Sequence, residues 1–314
     1  MLLFLQNLLY LCTMIKHHAI SLLKMNHQIV LLTCVMISLL TTGCRDTKEQ
    51  MELDEGNAVY YWRTDLRLDS TERAFLKTYH INKVYCRYFD VVMNDEGEPM
   101  PNATVTFSDP LPEGVEIIPT VYITIDCLQE PHEGLAEKLV KRIRQMNETN
   151  DISGVREIQI DHDYTARNMR TYYQFLEEVR QAWGQTLSTT IRLHQLSMEA
   201  PPVDYGALML YNTGDPQKFM ERNPILDHRD VAPYLRHLDG YPLPLAAAYP
   251  TFSWLRIING VELEHRAEAS EVMLVKRMVE KERQNLRRSI ITYHLDKDNI
   301  NRYKPETYEE IYHH

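Results

Sequence analysis

Glycine and proline are scarce, with 11 and 15 among 314 residues, which excludes collagen-like and low-complexity sequences. Positive charge is also in short supply, because 34 Lys and Arg face 44 Asp and Glu and leave a formal net charge of −10. No basic tract relieves this balance, so the chain repels phosphate backbones and we expect no nucleic-acid partner. The hydrophobic share of 44% and the charged share of 25% are typical of a globular protein.

Motifs of several other chemistries are missing as well. The 5 cysteines show no zinc-type spacing with histidine, and neither HxH nor HExxH occurs. There is no Gly-x-Ser-x-Gly nucleophile elbow. We therefore expect no cofactor.

Near the N-terminus, the apolar stretch 29–40 is shorter than the about 20 residues of a spanning helix and better fits the hydrophobic part of a signal peptide. It ends at Thr41-Thr42-Gly43-Cys44, which resembles a bacterial lipoprotein signal. In that family, a lipid is attached to the cysteine before the leader is cleaved off. The alternative is a plain membrane anchor in which Cys44 has no special role.

The lipoprotein resemblance implies a domain layout and a location. The leader would cover 1–43, with Met25 as a second candidate start, and a polar tether from a lipidated Cys44 would cover 44–56. A globular domain would occupy 57–314, anchored by lipid to a membrane of the bacterial cell envelope and facing the periplasm or the cell surface. Two further cysteines remain in that domain, Cys86 and Cys127, which would either pair or serve as small buried hydrophobic residues.

From residue 57 onward, short apolar runs alternate with helical patterns. Eight runs are rich in β-branched and aromatic residues and too short for helices: 59–63, 83–89, 117–125, 156–161, 188–194, 207–211, 244–249 and 289–294. Strands that alternate with helices pair in parallel, and eight such units match a single (β/α)8 TIM barrel of about 250 residues. The rival, an open doubly wound sheet, usually has a Gly-rich turn after its first strand, where this chain has Trp62-Arg63-Thr64-Asp65.

Polar residues fall on one parity of these strands, the one that faces the barrel interior. The fourth strand places Gln159, Asp161 and Asp163 inward, and the fifth places Thr190, Arg192 and His194 inward. Other strand ends bring further polar and aromatic residues to the C-terminal mouth, where the active sites of such barrels lie: Arg63, Arg87, Asp90, Tyr211, Asn212, Trp254 and His294. Any one of them alone is better explained as a structural ion pair or a core residue, and their convergence is what indicates a site.

Asp161 and Asp163 are the candidate catalytic pair. They lie two residues apart on one strand, with Cα atoms about 6–7 Å apart. Carboxylates this close raise one pKa and keep the other group ionised, which is how glycosidases divide an acid from a base. The alternative is that Arg192 or Arg63 neutralises both as a structural ion pair.

Gln159-Ile160-Asp161-His162-Asp163 resembles the Asp-x-Asp-x-Glu motif on the fourth strand of family-18 chitinase-like barrels. Asp161 falls on the middle Asp and Asp163 on the catalytic Glu, while Gln159 replaces the first Asp. A wider pattern resembles uncharacterised bacterial lipoproteins with a glycoside-hydrolase-like barrel: Tyr61-Trp62-Arg63, Arg87-Tyr88-Phe89-Asp90, Thr190-Ile191-Arg192-Leu193-His194-Gln195, Leu210-Tyr211-Asn212, Tyr241-Pro242-Leu243-Pro244-Leu245 and Tyr293-His294-Leu295. The resemblance implies a carbohydrate partner, with Asp163 as general acid and Asp161 as its partner.

Three functions stay open at this point. The first is a glycoside hydrolase of the cell envelope. In the second, a barrel without catalysis binds a glycan or a partner at its mouth, and the replacement of Glu by Asp163 favours it. The third is a metal-dependent hydrolase that uses Asp161, Asp163, His194 and His294. Aromatic residues at strand ends, such as Trp62 and Phe252, fit a sugar ligand, whereas Tyr60, Tyr85 and Tyr122 are expected to pack in the core.

Overall fold

A computed structural model describes residues 56–214, 222–258, 261–283 and 289–313. The predicted leader, the tether and Cys44 lie outside these residues. Within them, no helix has both the length and the apolar composition to cross a bilayer.

Eight parallel strands of the described chain form the centre of the fold. They are β1 (Asn57–Tyr61), β2 (Ile81–Met93), β3 (Glu116–Ile123), β4 (Glu157–His162), β5 (Thr186–Arg192), β6 (Tyr205–Met209), β7 (Leu245–Pro250) and β8 (Ile290–Tyr293). Each strand pairs with the next along the chain, and β8 pairs with β1, with Ala58 opposite Ile291. The sheet is therefore closed, and the predicted (β/α)8 barrel is confirmed.

Helices connect the strands on the outside of the barrel. They are α1 (Ser70–Thr78), α2 (Leu135–Thr149), α3 (Met169–Trp183), α4 (His228–Leu235), α5 (Ala269–Glu282), α6 (Lys297–Ile300) and α7 (Pro305–Tyr312). Two 3-10 turns, Ile125–Leu128 and Leu193–Ser197, follow β3 and β5. Helix α1 begins as its sequence predicts, because Asp69 accepts from the Glu72 N–H while the Glu72 side chain accepts from the Asp69 N–H.

Additional strands lie at the C-terminal end of the barrel. Pro99–Asn102 folds back on the end of β2 as an antiparallel strand, so the segment after β2 forms an extra hairpin. Ser253–Ile258 and Val261–Arg266 form a second antiparallel hairpin after β7. Trp254 lies on the first strand of that hairpin.

The barrel interior holds a connected layer of polar side chains. Tyr60 donates to the Gln159 Oε1 at 2.8 Å, and the Gln159 amide contacts the Ser188 hydroxyl at 3.4 Å. Ser188 in turn donates to Glu157 at 2.7 Å, and the Tyr205 hydroxyl donates to the same carboxylate oxygen. Each polar group is satisfied by a neighbouring strand, as burial requires, and the chain of contacts confirms the inward parity predicted for Gln159.

The two cysteines of the barrel are free and buried, Cys86 on β2 and Cys127 in the turn after β3. Of the two alternatives for these thiols, the structure therefore favours small buried hydrophobic residues.

Candidate functional site

A cavity of about 230 Å³ opens at the C-terminal mouth of the barrel. Seven of the eight barrel strands contribute to it: β2 does so from within the strand, and the other six from residues at or just after their ends. Its lining consists of Trp62, Arg87, Asp90, Tyr122, Asp161, Arg192, Met209, Tyr211, Asn212 and Tyr293. We call it the mouth cavity. Six predicted site residues thus come together in it: Arg87, Asp90, Asp161, Arg192, Tyr211 and Asn212.

A β-bulge in β2 places Arg87 and Asp90 on the same side of the sheet. The register against β3 shifts between Arg87 and Phe89, so that Arg87 lies opposite Thr120 and Asp90 opposite Tyr122. In a regular strand, residues three apart would face opposite sides. The extra residue of the bulge is Tyr88, which is fully buried and donates to the Asn147 Oδ1 of helix α2 at 2.7 Å.

Arg87 and Asp90 form a bidentate ion pair at the cavity wall. The Arg87 Nε donates to the Asp90 Oδ1 at 2.7 Å, and its Nη2 donates to the Oδ2. The side chains are 19% and 11% exposed, so the pair is largely shielded from bulk water. The contact with Asp90 raises the pKa of the Arg87 guanidinium and keeps it charged.

Arg192, the last residue of β5, bridges the two candidate catalytic carboxylates. Its Nη2 lies 3.2 Å from the Asp161 Oδ1, and its Nε donates to the Asp163 Oδ1. The Thr190 hydroxyl also donates to the Asp161 Oδ1, at 2.6 Å. The Asp161 side chain is 5% exposed and that of Asp163 is 39% exposed, so Asp161 is the deeper of the two.

Burial and charge act on Asp161 in opposite directions. Loss of solvent raises the pKa of this carboxyl, and the neighbouring Asp163 raises it further. Arg192 and the Thr190 hydrogen bond lower it, but the net shift of the pKa is upward because desolvation is the largest effect. Asp161 therefore retains its proton to a higher pH than an ordinary aspartate does.

Aromatic rings form one wall of the mouth cavity. Tyr211 and Tyr293 are stacked with ring centroids 4.9 Å apart, and Tyr293 lies 5.7 Å from Trp62. The Tyr211 hydroxyl is buried and has no hydrogen-bond partner within the described chain. Tyr122 was expected in the core, but its side chain is only partly buried and lines the cavity, where burial and Asp163 raise its pKa to about 12.

Sequence reasoning missed three lining residues, Tyr122, Met209 and Tyr293. A parity signal existed for Tyr122, because it pairs in register with Asp161 of the neighbouring strand. Met209 and Tyr293 are the last residues of β6 and β8, so strand position alone could have indicated them. Asn212, which was predicted, has a positive φ of 54°, a conformation in which asparagine is several-fold enriched among non-glycine residues.

Five predicted site residues do not line the mouth cavity, and one of them is Asp163, which adjoins it through its contact with Arg192. His194 is exposed, because β5 ends at Arg192 and a 3-10 turn follows, so the inward parity does not continue to it. Trp254 packs against His265 in the hairpin after β7, with centroids 4.6 Å apart. His294 contacts Asn299, and its Nδ1 is buried without a partner among the residues with described positions. Arg63 lies in a second cavity beside the mouth.

This second cavity, of about 600 Å³, shares Trp62 with the mouth cavity. It is lined by Trp62, Arg63, Thr64, Asp65, Arg67, Asp69 and Glu72. Arg63 contacts the buried Glu72 carboxylate at 2.7 Å and the Arg67 carbonyl at 3.0 Å. We call it the side cavity.

The four residues of the metal hypothesis do not gather. In the part of the chain that the structure describes, the group of His, Asp and Glu ligand atoms within 4.8 Å of one another is Asp227, His228 and Glu271. The oxygens of that group already have partners, since Arg229 binds Asp227 twice and His228 contacts Glu271 at 2.8 Å. The arrangement thus gives no geometric support to a metal-dependent hydrolase at the mouth.

Comparison with known structures finds three proteins whose fold is similar to that of this chain. The spore cortex-lytic enzyme SleL of Bacillus cereus is 15% identical, with a TM-score of 0.52 over 82% of this chain and 73% of that chain. A chitinase from Bacteroides thetaiotaomicron is 12% identical, with a TM-score of 0.55 over 82% and 98%. A GH113 β-1,4-mannanase is 11% identical, with a TM-score of 0.50 over 82% and 97%. No protein-family model and no curated protein sequence matches the chain.

Proposed function

We propose that the protein binds a carbohydrate at the mouth of its barrel. The observation that carries the proposal is the composition of the mouth cavity, in which an aromatic wall faces charged hydrogen-bonding groups. Aromatic rings such as Trp62 and Tyr293 pack against the apolar faces of a sugar ring, while Asp90 and Asn212 are placed to bond its hydroxyls. The buried Tyr211 hydroxyl, which has no partner in the described chain, favours a polar ligand that supplies one.

Binding without turnover is the form of this function that the geometry supports best. A general acid must hold a proton near the pH at which it works. Asp163, the predicted general acid, instead accepts a charge-assisted hydrogen bond from Arg192, which occupies one of its carboxylate oxygens. Arg192 also touches Asp161, so one guanidinium contacts both members of the predicted pair.

Hydrolysis of a glycosidic bond is the second candidate, and the raised pKa of Asp161 supports it. In this version Asp161 would carry the proton, and Asp163 would act as base or stabiliser. That division reverses the roles that the family-18 resemblance implies for the two residues. Both versions place the ligand in the same cavity.

The first experiment separates the two versions. The full chain is titrated with chitin, peptidoglycan and β-1,4-mannan fragments while reducing-sugar release is followed. Binding with no release in the wild type supports the binding protein. Release that is lost in both Asp161→Asn and Asp163→Asn, with binding retained, supports the hydrolase. Arg170→Ala, which changes an exposed arginine on helix α3, is the matched control.

We also propose that the barrel acts at the bacterial cell envelope, held by a lipid on Cys44. The position of this cysteine, shortly after the end of the apolar stretch 29–40, supports the proposal. Incorporation of a labelled fatty acid, lost in Cys44→Ser, tests it independently of any sugar. Equal labelling of the two proteins would refute the anchor and leave the mouth site unaffected.

A further inference from the structure

Trp62 is a wall common to both cavities at the C-terminal end of the barrel. Its ring lies edge-on to Tyr60 with centroids 5.8 Å apart and tilted against Tyr293 at 5.7 Å. The Arg87 guanidinium lies over it, 5.8 Å from the ring centroid. An indole held by three neighbours is rigid, so it can present a fixed surface to ligands on either side.

The two cavities differ in size. Ligand pockets usually measure about 300–1,000 Å³, and the mouth cavity of about 230 Å³ is smaller than that range. The side cavity, of about 600 Å³, lies within the range. A ligand larger than one ring-sized group must therefore extend from the mouth cavity past Trp62.

Side chains of the side cavity still have hydrogen-bonding capacity. Its carboxylates already have donors, since Glu72 accepts from Arg63 and from the Asp69 N–H, and Asp65 accepts from Ser108. By contrast, the Arg63 Nε has no acceptor within the described residues. The Arg67 side chain is 69% exposed, and Thr64 is also exposed. These donors suit a ligand rich in hydroxyl oxygens.

The charges of the cleft are unbalanced toward the acidic side. Two arginines face three carboxylates in the side cavity. Around the mouth cavity, the formal charges of Arg87 and Arg192 balance those of Asp90 and the adjoining Asp163, while burial favours the protonated form of Asp161. An anionic sugar that enters the side cavity meets a net negative charge, and interfaces use such like charge to reject ligands.

From these observations we infer that the two cavities form one cleft for an uncharged oligosaccharide of at least two sugar units. One terminal unit occupies the mouth cavity, and the next unit lies across Trp62 in the side cavity. The inference rests on the proposed carbohydrate binding at the mouth and adds the length and the charge of the ligand. Residues of the side cavity contribute to affinity only for ligands that reach past Trp62.

The test is calorimetric titration of the full chain with β-1,4-linked N-acetylglucosamine and mannose ligands of one and three units. Two variants address the side cavity: Thr64→Trp fills it, and Arg67→Ala removes a donor. Neither touches the mouth cavity, and both keep the carbonyl groups that accept from Thr106 and Tyr61. Circular dichroism checks that they fold, and Arg170→Ala is again the control.

We expect the wild type to bind one of the trisaccharides at least about tenfold more tightly than its monosaccharide, a difference of about 1.4 kcal/mol. Thr64→Trp and Arg67→Ala should lose most of that gain and keep the monosaccharide affinity, whereas Trp62→Ala should weaken both. Equal affinity for ligands of one and three units would overturn the inference and leave the mouth site intact. A uronic acid trisaccharide that binds as tightly as the neutral trisaccharides would have the same consequence. Failure of every sugar to bind overturns the proposed function and the inference together.

Discussion

Glu157, at the start of β4, is a buried acid whose titration should be visible in the stability of the barrel. Its side chain lies in the polar layer of the interior, where the hydroxyls of Ser188 and Tyr205 both donate to its Oε1. Burial is the main reason that its pKa rises from 4.5 to about 6, and the charge of Glu116 also raises it. The two hydrogen bonds and the charge of Lys83 act in the opposite direction and lower the pKa. The fold thus prefers the protonated acid.

The sign and size of the effect follow from linkage. Between pH 4.5 and about 6, the unfolded chain loses the Glu157 proton while the folded chain retains it. The contribution of protonated Glu157 to the free energy of unfolding is fully present below pH 4.5. It is lost as the pH rises through about 6. The interval between these values corresponds to about 2 kcal/mol, since one pKa unit is worth about 1.4 kcal/mol.

Glu157→Gln removes this titration, and its amide oxygen can still accept from Ser188 and Tyr205. Urea unfolding of the full chain, followed by tryptophan fluorescence, gives the free energy of unfolding of variant and wild type at about pH 4 and about pH 7. We expect the difference, variant minus wild type, to rise by about 2 kcal/mol across this interval. Glu148→Gln, an exposed change on helix α2, should show no such rise. A flat or falling difference for Glu157→Gln would refute the reasoning.

Further predictions concern individual side chains. Asp161→Ala should lower the free energy of unfolding by about 3–5 kcal/mol, because Thr190 and Arg192 lose a buried acceptor. Asp163→Ala should cost about 1 kcal/mol or less, since that carboxylate is 39% exposed; equal losses in denaturant melts would make Asp163 a structural residue. Asp69→Ala removes the cap of α1 and should cost about 1 kcal/mol in the same melts. Burial raises the thiol pKa of Cys86 and Cys127, so iodoacetamide should label them only after unfolding, as peptide mapping by mass spectrometry would show.

The barrel itself could be predicted from the sequence because its strands carry a strong local signal. Each strand is a short apolar run bounded by polar segments, and all eight predicted runs overlap an observed strand. Helix starts were less predictable. The proline Pro131 suggests a helix start, but the helix begins at Leu135, and the helix that contains Asp230 begins at His228, where Asp227 accepts from the Arg229 N–H as the cap. Such boundaries depend on which cap the tertiary structure selects.

The site could be predicted only as far as strand parity is regular. Parity placed Asp161 and Arg192 correctly, because each lies on a strand without irregularities. It also extended β5 as far as His194, whereas the strand ends at Arg192 and the chain turns away. The Arg87–Asp90 pair depends on a bulge, which is a register shift against β3 that no local pattern in β2 specifies.

Arg192 determines which chemistry the mouth can perform. Its position at the end of β5 brings one guanidinium to the carboxylates of both Asp161 and Asp163. A glycosidase needs one carboxyl that is protonated and one that is not. Burial favours the protonated form of Asp161 despite its contact with Arg192. If the mouth performs hydrolysis, the proton must therefore reside on the deeper residue, and the ligand must reach Asp161 past Arg192. Under the proposed function, a sugar that stops at the aromatic wall would be bound and not cleaved.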